Sequence, residues 1–157
     1  MIEANDQVYE MMKTFFEENV PYAKHSGIEL LEIAEGRGSA RLPDSKETQN
    51  HMGSQHAGAL FTLAEAASGA AMVSLFADKV LMVRAAITQA TIKYKKAARG
   101  VVHATGLLRQ PGADILAEFN QEGRVSFKVD VTLIDSKDRE IGEMEVDWSI
   151  QLNQPRA

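Results

Sequence analysis

Apolar residues recur along this chain in two rhythms, and the changes of rhythm outline its elements. Over residues 5–18, Val8, Met11, Met12, Phe15 and Phe16 fall at helical spacing, with Asn5 or Asp6 placed to cap the start. The bland role for such a helix is packing on the edge of a core. Val20-Pro21 interrupts it, and a short further turn is expected up to Ser26-Gly27. From Ile28 the pattern turns strand-like. Residues 28–33 and 38–42 read as a hairpin across Glu35-Gly36-Arg37, ended by Pro43-Asp44-Ser45. Residues 44–55 are polar and loop-like. A long helix is then predicted from about Ala57 to Phe76, apolar on more than one side, so buried on most sides. Its middle is nearly all Ala, Gly and Ser, which would let a curved sheet approach closely.

Beyond Asp78-Lys79 the chain is rich in strands. Val80 to Ala97 sets Ile87, Gln89, Thr91, Lys93 and Lys95 against Thr88, Ala90, Ile92 and Tyr94. Arg99-Gly100 is the expected turn into Val101–Arg109, which breaks at Pro111-Gly112. Ile115, Leu116 and Phe119 predict a short helix over 113–122. Val125–Ile134 alternates cleanly, Asp135–Asp138 is turn chemistry, and Ile141–Leu152 is the last strand. The tail 153–157 is expected to fray. Helices and strands do not alternate regularly, which argues against a parallel α/β sheet. The order (helix, two strands, one long helix, four strands in meander-like succession) fits one antiparallel sheet curled around one central helix.

Composition narrows the picture. A chain of 157 residues with 45% hydrophobic and 25% charged residues is an ordinary single globular domain. The net charge of −5 and the lack of a basic block argue against nucleic-acid and anionic-membrane partners. Cysteine is absent, which excludes disulfides, thiolate metal sites and cysteine nucleophiles. No apolar run is expected to reach the roughly 20 residues that span a bilayer. The acidic first 20 residues are wrong for a signal peptide, so a cytoplasmic location is expected.

Candidate chemistry concentrates in Asn50–Met72, where one acid, Glu65, stands in an apolar, small-residue helix. Such a carboxylate is costly to bury unless it is paired or used. The pattern Asn50-x5-His56-Ala57-Gly58-x6-Glu65 resembles the signature of hotdog-fold acyl-CoA thioesterases of the phenylacetate-pathway, PaaI-like type. The element order over about 20–152 resembles the same family. The 113–122 helix with its Glu122-Gly123-Arg124 turn is similar to a subgroup of thioesterases of undefined substrate. The resemblance implies an α+β hotdog fold, a curved antiparallel sheet of about six strands around one long helix, in a single domain over 1–157. It implies hydrolysis of an acyl-CoA without a further cofactor or metal. It also implies a homodimer, with pairing of two dimers common in the family. Asn50 matches the family residue that orients substrate or water, and His56 the histidine opening the helix. Ala57 stands where the family has Gly, and its role there is the backbone N–H that polarises the thioester carbonyl. Glu65 matches the acid. The family's Ser or Thr on the next strand falls near Ala86, a departure that Thr88 or Gln89 would have to make good.

The chemistry also has to work physically. N–H groups at Ala57 and Gly58 would lie at a helix N-terminus, without helical partners and at the positive end of the macrodipole. Glu65 is eight residues on, about 12 Å along the axis. It cannot serve the same carbonyl from the same chain, because a catalytic carboxylate must come within about 3 Å of its water. Two antiparallel central helices about a two-fold axis would bring each Glu65 to the other's Ala57, which predicts a dimer with two shared sites. Glu65 is a general base or a nucleophile, its pKa raised by burial and lowered by the facing helix end. Lys93, Lys95, Lys96 and Arg99, with Arg84 upstream, are candidate cations for the phosphates of coenzyme A, or else a solvated strand end. Phe61, Met72, Met82 and Tyr94 are candidates to line the acyl pocket, expected between the central helix and the partner's long strand. Two other readings stand beside this one. A hotdog 3-hydroxyacyl dehydratase would use His51 as base, fourteen residues before Glu65 as acid, although the intervening loop lacks the prolines usual there. A non-catalytic acyl-CoA sensor would bind without turnover. His25 and His103 carry no assigned role.

Overall fold

The fold was taken from a computed structural model, which describes residues 2–154, with side chains from Asp6 onward. Residues 155–157, the end of the expected frayed tail, lie outside it; Asn153 and Gln154 have no regular structure. The described residues form four α-helices: α1 (Ile2–Asn19), α2 (Pro21–His25), α3 (Ala57–Phe76) and α4 (Gly112–Glu122). Six strands accompany them: β1 (Glu29–Ala34), β2 (Arg37–Leu42), β3 (Val83–Tyr94), β4 (Val102–Leu108), β5 (Arg124–Asp135) and β6 (Glu140–Leu152). They form one antiparallel sheet in the order β1-β2-β4-β5-β6-β3, wrapped around α3. This is the hotdog arrangement.

Helix α3 is wrapped because its side chains are small. A Cβ built on Gly38 of β2 would lie 2.4 Å from the Ala70 Cβ, and one on Gly106 of β4 would lie 2.8 Å from the Ala67 carbonyl oxygen. Gly38 and Gly106 are register partners, so two neighbouring strands touch the helix backbone at one level. Around this contact Leu63, Ala64, Ala67 and Ala71 of α3 meet Leu42, Val102, Ala104, Val129, Leu133, Ile141, Val146 and Ile150 of the sheet, all fully buried. Strand β5 alternates as its sequence predicts, with Val125, Phe127, Val129, Val131 and Leu133 inward. Helix α4 lays Ile115 and Phe119 on the core, and Phe76 meets Phe119 edge-on at 5.2 Å. It ends at Gly123, whose φ of 69° is the left-handed cap that glycine adopts freely.

Several expectations need correction. The strands after α3 are not a simple succession: only β4-β5-β6 is a meander, and β3 crosses to the far edge to pair with β6. Arg99-Gly100 therefore belongs to a crossover rather than to a hairpin. Strand β3 also begins at Val83, not Val80, because residues 80–82 complete the turn that follows α3: Val80 keeps helical dihedrals and the Met82 N–H bonds to the Lys79 carbonyl at 2.8 Å; Leu81 is 90% exposed. Within β3 the alternation slips. Ile87 pairs with Trp148 and Gln89 with Asp147, leaving Thr88 as the extra residue of a bulge, so Ile87, Ala90 and Ile92 share the inner face. Helix α1 starts at Ile2, ahead of the expected caps at Asn5 or Asp6. Finally, the 23-residue stretch Ala57–Lys79 contains a window of mean hydropathy 1.5, long and apolar enough to cross a membrane by composition alone, contrary to the expectation of no such run. Its hydrophobicity is explained by the sheet that encloses it.

Candidate active site around helix α3

The loop before α3 is built from its own side chains. The Asn50 Oδ1 accepts from the Met52 and Ser54 backbone N–H groups at 2.9 and 3.2 Å, and its amide donates to the Ser54 Oγ at 2.9 Å. Asn50 thus folds the turn in which it sits. The buried Gln55, which sequence reasoning passed over, anchors that turn to the body. Its Nε2 donates to the carbonyls of Pro43 and Gly100 at 2.9 and 2.8 Å, and its backbone N–H to that of Ala98 at 2.8 Å. Arg99 adds a further brace, donating to the Gly53 carbonyl at 3.2 Å. Its guanidinium thus holds the loop.

At the start of α3, His56 is the cap. Its Nδ1 accepts from the Gly58 N–H at 2.8 Å, which leaves the ring proton on Nε2. The Gly58 N–H, expected to face the substrate, is therefore already bonded. The Ala57 N–H has no acceptor among the described residues. The Ala57 carbonyl accepts from the Tyr94 hydroxyl at 3.0 Å, which ties the end of β3 to the helix start. Asn50, Ala57, Tyr94, Lys95 and Lys96 line a cavity of about 280 Å³ there. Lys95 bridges to Glu140 and Glu143, both at 3.1 Å, whereas Lys96 makes no ion pair among the described residues.

Glu65 lies midway along a stripe of α3 that the sheet leaves open, with Gly58, Phe61, Gly69 and Met72. No cation and no hydrogen-bond donor meets its carboxylate among the described residues. Burial pushes its pKa above the ordinary glutamate value. Its backbone is fixed by a relay: the Trp148 Nε1 donates to the Ser68 Oγ at 3.2 Å, and the Ser68 Oγ donates to the Glu65 carbonyl at 2.7 Å. An apolar groove of about 220 Å³ begins at Glu65, between α3 on one side and α1 and β1 on the other. Neither the groove nor the relay is legible as a motif, since its residues come from five separate segments of the chain.

The other candidates lie apart from this groove. Thr88 and Gln89 sit at the bulge on the exposed edge strand, with the Thr88 hydroxyl 3.4 Å from the Asp147 carbonyl. Lys93 pairs with Glu143 at 3.5 Å on the outer face of the sheet, and Arg84 lies near the other end of β3. Phe61 is 36% exposed on the open stripe, and His51 is exposed in the Asn50–Gln55 turn. Among the described residues no group of three His, Asp or Glu side chains is placed to hold a metal.

The sequence of residues 9–150 matches the model of a family described as a domain of unknown function, DUF4442. The chain belongs to that family. Among curated proteins, none matches this DUF4442 chain. Its fold recurs in solved structures. A Pseudomonas aeruginosa protein described as of unknown function, a probable thioesterase, superposes with a TM-score of 0.81 at 23% identity, over 92% of this chain and 95% of that one. The Escherichia coli PaaI protein of the phenylacetic acid degradation operon gives 0.71 at 18%, over 94% and 95%. A Staphylococcus aureus thioesterase gives 0.70 at 16%, over 83% and 98%.

Proposed function

We propose that this protein is a cytoplasmic acyl-CoA thioesterase that works as a homodimer with two shared sites. The observation that carries the reading is Glu65: a half-buried carboxylate with no partner of its own among the described residues, on the open stripe of α3. Such a group is costly to keep unless it is used. The Ala57 N–H supplies the second half of the chemistry, since it is free at the positive end of the same helix. About 12 Å of helix separates the two, so the thioester lies between Ala57 of one protomer and Glu65 of the other. The bare edge of β3 supports such pairing, because a twelve-residue strand with one open side is a template for a second copy. Pairing of two such dimers would use surfaces outside this interface, since a two-fold contact occupies the same patch on both protomers.

In this mechanism Glu65 acts as general base, and burial, which raises its pKa above the ordinary glutamate value, makes its carboxylate the stronger base. It takes a proton from water as the water oxygen attacks the thioester carbon. The Ala57 N–H holds the developing oxyanion, and His56 keeps the helix end in register. The C–S bond then breaks, and the thiolate of coenzyme A takes the proton back from Glu65. Lys96 is the cation best placed at the cavity mouth for the leaving group's phosphates. The Staphylococcus aureus relatives lend support. The Gln and Glu replaced in two solved variants lie fifteen positions apart, the separation of Asn50 and Glu65 here. Free-thiol release over a panel of acyl-CoAs tests the proposal, with Glu65→Ala as the control. Release from no thioester, or full activity in Glu65→Ala, overturns it. In a hotdog dehydratase the exposed His51 would be the base, so His51→Ala is expected to leave thiol release intact.

A further inference from the structure

We infer that the groove between α1 and α3 receives the acyl chain, and that it is shaped for an unbranched aliphatic chain of about eight carbons. The inference rests on the thioesterase reading and differs from the pocket expected against the partner's long strand. Glu65 marks one end of the groove, and the walls beyond it are apolar, with Phe15 and Phe16 of α1 facing Gly69 and Val73 of α3 and Trp148 of β6. A thioester carbon held at Glu65 therefore has its chain led straight into the subunit that supplies the carboxylate. The length follows from the helix. From Glu65 to Val73 the axis rises about 12 Å, and an extended chain advances about 1.25 Å per carbon, which gives about eight to ten carbons. Gly69 keeps the floor low. A Cβ there would stand 3.7 Å from the Trp148 ring, in ordinary contact, whereas a larger side chain would fill the space.

Trp148 is the only tryptophan in the chain, so its emission reports on the groove without any catalytic event. Titrating the full-length protein with octanoate is expected to give a saturable emission change, with butyrate at least about tenfold weaker. Phe15 is 57% exposed, so Phe15→Ala keeps the core and is expected to weaken octanoate binding about tenfold. Gly69→Leu is expected to cut kcat/KM for octanoyl-CoA at least about tenfold more than for butyryl-CoA. A silent Trp148 in the folded wild type, as when a second copy already covers the groove, overturns the inference; so does an equal loss for both thioesters in Gly69→Leu. The two ideas fail separately. Octanoate binding without hydrolysis of any thioester removes the reaction and keeps the groove. Hydrolysis with a silent Trp148 and an unchanged chain-length profile removes the groove and keeps the reaction.

Discussion

Ala57→Pro removes one hydrogen-bond donor and little else. Ala57 is the first residue of α3, where the N–H has no helical acceptor and proline is well tolerated. The preceding residue must then avoid the helical region, and His56 already has φ −64° and ψ 139°. No intrahelical bond is lost, because the next N–H, that of Gly58, stays bonded to the His56 ring. Stability should change by less than about 1 kcal/mol, a shift of at most about 4 °C in Tm for a domain of this size. Catalysis should fall much further. One oxyanion donor contributes about 3–4 kcal/mol, so kcat/KM should drop about 10²–10³-fold. Thiol release and thermal denaturation of the same preparation measure both. Mixing then tests the shared site. In a hybrid of Ala57→Pro and Glu65→Ala chains, one site has lost both groups and the other has both intact, so activity should return although neither parent has it. Full activity in Ala57→Pro would refute the oxyanion role. Inactive hybrids, shown to have formed, would refute the arrangement across two chains.

Glu65→Gln should stabilise the protein at pH 8 by about 1 kcal/mol, the low end for an unsatisfied buried polar group because the site is half open. The folded pKa is raised, so ionisation costs stability only as pH climbs past the ordinary glutamate value of 4.5. The gain in Tm should therefore vanish at pH 3.5, and an equal gain at both pH values would contradict the assignment. Activity should rise with pH through that raised pKa on its acid limb, as a pH–rate profile would show. Gly106→Ala should cost about 1–3 kcal/mol in denaturant unfolding, since its Cβ would press on the Ala67 carbonyl and the Ser68 Cα, which are backbone atoms that cannot swing aside. His56→Ala should cost about 1 kcal/mol as a lost helix cap, and His56→Asn should restore the stability; activity restored along with it would show that the imidazole acts by capping alone.

What the sequence made legible follows from the range of the forces involved. Helix α3 was readable to its ends because capping and small-residue composition are local. So were the hairpin, α4 and the alternation of β5. The place of β3 was not, because which edge a strand joins depends on β6, far ahead in the chain. Thr88 hid its bulge, since one extra residue shifts the inward face without changing composition. Around the candidate site, Glu65 stood out as an acid among small apolar residues. The local self-sufficiency of Asn50 and the bracing roles of Gln55 and Arg99 did not, because they depend on carbonyls that only the fold brings near. The groove beside Glu65 was hidden for the same reason, since α1 looked like an ordinary edge helix.

The crossing of β3 to the far edge has a consequence for how the chain is made. Ribosomes release β3 before β4, β5 and β6 exist, and among the described residues its only partner in the sheet is the last strand to emerge. Helix α3 appears earlier still, with most of its wrapping unmade. A nascent chain therefore carries its most apolar helix and its longest open edge together, and non-local pairing of this kind forms slowly. The vulnerable period ends only when residues 140–152 arrive, so a nascent chain stalled before them is the form of this protein most exposed to aggregation.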